Sequence, residues 1–289
     1  MLFRSVRAYC AMDLMAEGYF RHIRGKIVSL YRRYGIKRFK FDLYQLQVFD
    51  TLLGDPNQHY EKYRELLQSL KKDIPGLVIS MDITRRNRPC FDFGMDFGRL
   101  FMENRGRNLK DHRYHHPYIS LRNLWYTSKY FPAQKIEVEM MPQIDDYPVE
   151  YVLGTTIFAN PLYWGSLAEL PASKVRAMHA FIEKLKPHKE KIMRGLIYPV
   201  GEMPDKGNCS GLVSTDADGT SGYLGVYRNG SKSSACRLPL SSLGSGRLIM
   251  EDVFSGDRIC VSGGKGTFPV RDKFGFRLFR FKTTTGVRT

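Results

Sequence analysis

The sequence predicts an α/β fold in which strands and helices alternate, followed by a domain of antiparallel strands. Up to about residue 200, short apolar runs alternate with segments whose apolar residues recur every three or four positions. That alternation is typical of parallel strands joined by helical crossovers. Beyond about residue 205, glycine, serine, aspartate and asparagine separate short strand-like runs. Such runs indicate antiparallel hairpins, most simply a small sandwich.

The first helix is predicted over residues 20–34, because apolar side chains recur there at helical spacing and Gly35 supplies a stop signal. A strand should follow at once over 36–42. Its alternation places Phe39 and Phe41 on one face and three charged residues on the other, namely Arg38, Lys40 and Asp42. We expect the aromatic face to pack against helices and the charged face to point into polar surroundings.

The same alternation continues along the chain, with proline marking the first turns of three helices. The predicted elements are a helix from Pro56, strands over 77–83 and 99–103, a helix from Pro117, a strand over 135–141, a short helix with an apolar run over 149–159, and a helix from Pro171. The antiparallel strands are predicted over 223–227, 247–253, 258–261 and 274–281. We place an α/β domain at 1–200, a β domain at 205–289 and a hinge at 201–211.

Composition excludes several classes of protein. With 289 residues, 43% of them hydrophobic, the chain can form one large domain or two ordinary ones, and it is not a disordered or collagen-like protein. The 45 Lys and Arg residues exceed the 29 Asp and Glu residues, giving a net charge of +16. This charge raises nucleic acid as a partner, but the basic residues are spread over the whole chain without a nucleic-acid-binding motif, which disfavours that interpretation.

Two further patterns bear on the environment of the protein. The chain as given has no long uninterrupted apolar run and no secretory signal, so we expect no membrane span and a cytoplasmic location. Five widely spaced cysteines lack the spacing of metal ligands. The five are Cys10, Cys90, Cys209, Cys236 and Cys260. Their spacing predicts neither a disulfide framework nor a structural zinc site.

Reacting groups of parallel βα folds lie at the carboxyl ends of the strands. Asp42, Asp82 and Glu103 each end a predicted strand, whereas Glu137 and Glu139 lie within one. The ammonium of Lys40, two residues before Asp42 on the same face, would keep that carboxylate ionised for nucleophilic attack. A structural ion pair remains the alternative interpretation.

A pair of strand-end carboxylates is what retaining glycoside hydrolysis requires, one as nucleophile and one as general acid and base. Asp42 and Glu103 could form such a pair, and this chemistry needs neither a cofactor nor a metal. Three arginines that follow strand ends could bind sugar hydroxyls or remain solvated charges, namely Arg85, Arg88 and Arg105. Trp164 could stack on a sugar ring or serve packing.

These residues carry a resemblance to a known family. The run from Tyr34 to Asp42 resembles the segment leading to the lysine-x-aspartate nucleophile motif of the melibiase-type α-galactosidases, glycoside hydrolase families 36 and 27. Residues 101–105 are similar in place to the acid/base motif of the sixth barrel strand, and residues 163–165 to the eighth strand. Residues 173–198 resemble the last barrel helix and the link to the C-terminal β-sandwich.

The resemblance implies a partial (β/α)8 barrel, about the last five βα units, followed by a small antiparallel β-sandwich. Asp42 would be the nucleophile and Glu103 the general acid/base, acting on an oligosaccharide or glycoside. Lys40, Asp82, Trp164 and the three arginines would bind substrate.

The sequence departs from the family pattern in three places. Glu103 replaces an aspartate, and the stretch 82–88 replaces the usual end of the fifth strand, which leaves Asp82 as a competing acid. The first three barrel strands have no counterpart, so open strand edges are expected to bind a partner chain or a second copy. The chain would be a truncated or split hydrolase. A non-catalytic carbohydrate-binding or assembly subunit, and a basic nucleic-acid-binding protein, are the alternatives.

Overall fold

A computed structural model describes residues 13–41, 56–82, 91–101, 116–140, 147–163, 166–244 and 246–283. The chain forms two compact units, residues 1–103 and residues 104–289. Both units contribute strands to the parallel part of the fold, and the second unit also carries the antiparallel strands.

The first unit alternates helices with parallel strands. Its elements are α1 (Glu17–Tyr34), β1 (Arg38–Phe41), α2 (Pro56–Asp73), β2 (Val78–Asp82), α3 (Phe91–Phe97) and β3 (Gly98–Phe101). Strand β2 pairs in parallel with β1 on one side and with β3 on the other. The helix stop predicted at Gly35 is confirmed, because Gly35 has a φ of 70° and its N–H bonds to the Tyr31 carbonyl. Helix α3 was not predicted.

The core of the first unit lies mainly along α2. Tyr63, Leu67 and Leu70 of this helix are fully buried, as its apolar spacing predicts. The apolar stripe of α1 is buried only in part. Phe20 and Ile27 lie in the core, whereas Tyr34 is 60% exposed.

The second unit begins with the remaining parallel strands. Its first elements are α4 (Pro117–Thr127), a short 3-10 helix (Ala133–Lys135), β4 (Ile136–Met140), α5 (Val149–Gly154), β5 (Asn160–Tyr163), a second 3-10 helix (Leu167–Glu169) and α6 (Ala172–Arg194). Strand β4 pairs in parallel with β5. Every residue of β4 is buried, as expected for a parallel strand covered on both faces. The parallel strands follow the order β1-β2-β3-β4-β5, which confirms a partial barrel of about five βα units.

The antiparallel strands form two sheets. They are β6 (Leu196–Gly201), β7 (Asn208–Thr215), β8 (Ser221–Asn229), β9 (Ala235–Pro239), β10 (Leu248–Asp252), β11 (Arg258–Val261), β12 (Lys265–Pro269) and β13 (Phe274–Thr283), with a 3-10 turn at Ser241–Leu243. The larger sheet has the order β11-β10-β13-β8-β7-β6, and β12 pairs with β9 in the smaller one. Side chains of both sheets share one apolar core. The predicted small sandwich is thereby confirmed.

The hinge predicted at 201–211 is wrong. Gly201 pairs with Ser210 and Val200 pairs with Gly211, so the segment connects two paired strands, β6 and β7. Its glycine and aspartate residues serve a hairpin connection, which has the same composition as a linker. The domain division at about residue 205 stays a prediction.

The sequence argues against a disulfide framework, yet the structure contains a disulfide. Cys209 of β7 and Cys236 of β9 form a disulfide across 27 residues of chain. The spacing along the sequence hides this pairing, because the antiparallel fold brings the two strands together. Cys236 is fully buried in the sandwich core.

Replacing both members of this disulfide with alanine should lower the free energy of unfolding. For a closed loop of 27 residues, the lost restriction of the unfolded chain corresponds to about 3.5 kcal/mol. Urea denaturation under non-reducing conditions measures the change. The control is Cys260→Ser, which removes an exposed free cysteine and should leave the midpoint in place. Equal stability of the double variant and the parent would contradict the prediction.

Candidate functional site

The strands of the first unit end side by side. Phe41, the last residue of β1, pairs with Met81 of β2. Asp82, the last residue of β2, pairs with Phe101, the last residue of β3. The segments that follow these three strands therefore start from one edge of the parallel sheet, which is where active sites of βα folds are built.

The two faces of β1 differ as the sequence predicts. The ring of Phe41 lies 6.2 Å from the ring of Tyr63 on α2, so the aromatic face packs against the helix layer. Lys40 points to the opposite face, where its Nζ lies 4.3 Å from the centre of the buried Phe101 ring. This is a close cation–π geometry. It fixes the ammonium on the inner face, near the carboxyl end of β3.

The inner face of the first unit is polar and positively charged. Residues at the same register on neighbouring parallel strands share a face, so Lys40 lies in line with Ser80 and Arg99. Ser80 is fully buried. A buried hydroxyl and two cations therefore stand in one row on this face.

Most of the predicted site residues fall outside the described part of the chain. Lys40 and the backbone of Asp82 are described, and Asp82 stands at the strand end as predicted. The others lie outside the described residues, namely Asp42, Arg85, Arg88, Glu103, Arg105 and Trp164. Their roles remain predictions.

Two carboxylates in the second unit are buried. Glu137 and Glu139 of β4 are 1% and 2% exposed, and they share a face because they alternate with Ile136, Val138 and Met140. The sequence signal for them was present in the pattern IEVEM, in which acidic residues alternate with apolar ones inside a strand. Carboxylates buried this deeply are costly unless they are compensated, so they mark a polar inner face.

The sequence patterns did not predict a cluster of aromatic and polar side chains in the second unit. His116, directly before α4, contacts the Tyr147 hydroxyl through Nδ1, and its ring stacks on Tyr118. Tyr151 donates a hydrogen bond of 2.7 Å to Oδ1 of Asn229. Burial, followed by the neighbouring tyrosines, raises the pKa of Tyr151 well above its usual value, so the hydroxyl keeps the proton that it donates. These residues are scattered over the sequence, and no local pattern reveals them.

The described residues contain no cluster of histidine, cysteine, aspartate or glutamate that could hold a metal ion. None of the described helices combines the length and apolar character needed to cross a lipid bilayer.

No family model matches the sequence, and no curated protein matches it. Several solved structures do match the chain. One is a family 36 α-galactosidase variant from Geobacillus stearothermophilus in complex with raffinose, with a TM-score of 0.70 and 15% identity over 98% of this chain and 41% of that one. Another is an α-galactosidase from Lactobacillus brevis, with a TM-score of 0.72 and 11% identity over 94% of this chain and 39% of that one.

A family 27 enzyme is similar as well. It is a β-L-arabinopyranosidase from Geobacillus stearothermophilus, with a TM-score of 0.57 and 12% identity over 91% of this chain and 61% of that one. The chain spans about two fifths of the length of the family 36 structures, 41% in the case of the Geobacillus enzyme. Over that part of their length, the chain has the fold of the melibiase-type α-galactosidases of glycoside hydrolase families 36 and 27.

Proposed function

We propose that the chain is the C-terminal part of a retaining α-glycoside hydrolase, most simply an α-galactosidase, with Asp42 as nucleophile and Glu103 as general acid and base. The observation that supports this most is the orientation of Lys40. Its ammonium is held on the inner face of β1 against Phe101, and Asp42 follows it by two residues, with β1 ending at Phe41. An ammonium beside a carboxylate favours its ionised form.

The reaction is a double displacement. A carboxylate oxygen of Asp42 attacks the anomeric carbon while the bond from that carbon to the leaving oxygen breaks, and Glu103 gives its proton to the leaving oxygen. In the second step Glu103 accepts a proton from water, the water oxygen attacks the anomeric carbon, and Asp42 leaves as a carboxylate. Lys40, Arg85, Arg88, Arg105 and Trp164 bind and orient the sugar.

The first test is hydrolysis of a panel of aryl α- and β-glycosides by the purified chain. Turnover of one α-glycoside with retention of configuration, read by NMR of the first-formed sugar anomer, supports the proposal and names the sugar. Turnover of β-glycosides alone, or inversion of configuration, overturns it. A folded chain that is inactive on every glycoside favours the second candidate below.

Leaving-group dependence should separate Glu103 from Asp82 as the acid. We expect Glu103→Gln to lose about 10² to 10⁴-fold in kcat/KM for a glycoside with a poor leaving group, but little in kcat/KM for a dinitrophenyl glycoside, because dinitrophenolate departs without a proton. Asp82→Asn should affect both substrates alike. The measurement is kcat/KM for the two substrates. The opposite pattern would assign the acid to Asp82.

A second candidate is an assembly subunit. The described residues form a parallel sheet of five strands, whereas a closed barrel of this type has eight, and unpaired strand edges favour pairing with another chain. Such a subunit would be inactive alone and would gain activity with a chain that supplies further βα units. Multi-angle light scattering of the purified chain tests self-association through the same edges.

A further inference from the structure

The second unit contains a basic cleft whose lining includes no residue of the parallel strands. It has a volume of about 450 Å³ and lies between the end of α6 and the strands β7, β8 and β13. Four cationic side chains line it, namely Lys191, Arg194, Arg280 and Lys282. Asp216 is the acidic residue in its lining. We call this the α6–β13 cleft.

Strand alternation explains why cations gather here. The face of β13 that carries Phe276 packs against Phe181 of α6, with ring centres 6.3 Å apart. Arg280 and Lys282 lie on that same face further along β13, opposite Tyr223 and Ser221 of β8. Helix α6 contributes Lys191 and Arg194 from its last turn. Basic residues in the last turn interact favourably with the helix dipole, but that effect does not account for the two cations of β13.

The carboxylates around the cleft are already engaged. Asp216 accepts hydrogen bonds from the backbone N–H and the hydroxyl of Ser221. Glu251 pairs with Arg280 at 3.1 Å and with Arg258 at 3.1 Å.

Glu190 pairs with Arg194 at 2.5 Å. Lys191 and Lys282 are exposed, and neither forms an ion pair within the described part of the chain. Two ammonium groups in the cleft are therefore available to an anionic ligand.

A second observation points the same way. His188 lies on α6 and its Nδ1 is 3.0 Å from the Tyr223 hydroxyl. Burial lowers the pKa of His188, and the positive charges of Arg280 and Lys191 lower it further. The positive charges of two cleft residues thus act on His188, which contacts the cleft residue Tyr223.

We propose that the α6–β13 cleft binds the carboxylate groups of an acidic polysaccharide. The choice of a polysaccharide rests on the proposed function. Nucleic acid fits less well, because single strands are held by stacking bases on exposed aromatic rings. The aromatic residues that line the cleft are Tyr223 and Phe281, and they are only 5% and 1% exposed. The cleft offers charge and hydroxyl groups, which match a uronate chain.

The test is calorimetric titration of the full chain with a short oligogalacturonate, and with a neutral galactan oligomer of the same length. The cleft variant is Lys191→Gln/Lys282→Gln. The matched control is Lys72→Gln/Lys265→Gln, which removes the same charge from two exposed lysines outside the cleft. We expect the Kd for oligogalacturonate to rise about tenfold in the cleft variant and to stay within about twofold of the parent in the control.

The proposal would be overturned by equal weakening in both double variants, by equal binding of the neutral oligomer, or by tighter binding of a single-stranded oligonucleotide. Absence of binding would overturn it too. The variant Lys191→Arg/Lys282→Arg should retain the affinity for oligogalacturonate. That result would show that the positive charge, and not the packing of the side chain, determines binding. The titration is run on the Asp42→Asn variant as well. Binding there, whatever the result of the hydrolysis assays, keeps the test of the cleft separate from the test of the active site.

Discussion

Asp42→Asn should abolish glycoside turnover while leaving the protein folded. The amide has the size of the carboxylate but is not a nucleophile toward an anomeric carbon, so the covalent intermediate does not form. We expect kcat to fall by at least about 10⁴-fold. The measurement is steady-state hydrolysis of the best aryl α-glycoside of the panel.

The control for this variant is chemical rescue. Asp42→Gly leaves space for an external anion, and azide should restore turnover of an activated glycoside, giving a glycosyl azide of inverted configuration. Circular dichroism of both variants should match the parent. Two results would remove Asp42 from the mechanism, provided that the parent hydrolyses glycosides. One is an Asp42→Asn variant with the activity of the parent, and the other is a folded Asp42→Gly variant that azide does not rescue.

Arg277→Met should strongly destabilise the antiparallel region. The Nε of Arg277 lies 2.5 Å from Asp252 Oδ2, its Nη2 lies 2.8 Å from Asp257, and its Nη1 donates to the Pro269 carbonyl at 3.1 Å. The side chain of Asp252 is only 4% exposed. Without the guanidinium a carboxylate stays buried without its cation, which costs about 4 kcal/mol of folding free energy.

The matched control is Arg258→Met. Arg258 also pairs with a carboxylate, that of Glu251, but its side chain is 75% exposed, so its loss should cost less than about 1 kcal/mol. Adding Asp252→Asn to Arg277→Met removes the stranded charge. Because Oδ1 of residue 252 still accepts backbone N–H bonds in the turn, part of the stability should return. Urea denaturation of the parent, Arg277→Met, Asp252→Asn and the double variant gives the double-mutant cycle, and Arg258→Met is measured beside them. Equal losses in Arg277→Met and Arg258→Met would contradict the prediction.

The sequence predicts the order of most elements and the two faces of β1. These follow from local patterns: proline at the first turn of α4, glycine after α1, and the two-residue period that separates Phe41 from Lys40. Which apolar residues become buried is less predictable. The stripe of α6 places Met178 correctly in the core, yet Val175 is 43% exposed and Ile182 is 41% exposed. The helix also packs through Phe181, and only the tertiary arrangement decides this.

The candidate site is predictable to a smaller degree. Strand-end positions can be derived from alternation, so Lys40 and the backbone position of Asp82 agree with expectation. The contact of Lys40 with Phe101 joins residues of two different strands, and no spacing in the sequence encodes it. The same holds for His116 and Tyr147, and for Cys209 and Cys236. Such pairings arise from strand register and chain crossover, which a single sequence read locally does not contain.

The disulfide also has a topological consequence. The chain between Cys209 and Cys236 contains the whole of β8, an inner strand that pairs with β7 on one side and with β13 on the other. The bond closes a covalent ring that includes β8, and it links β9 of the small sheet to β7 of the large one. A protease cut in the turn between β7 and β8 therefore separates no fragments until the bond is reduced.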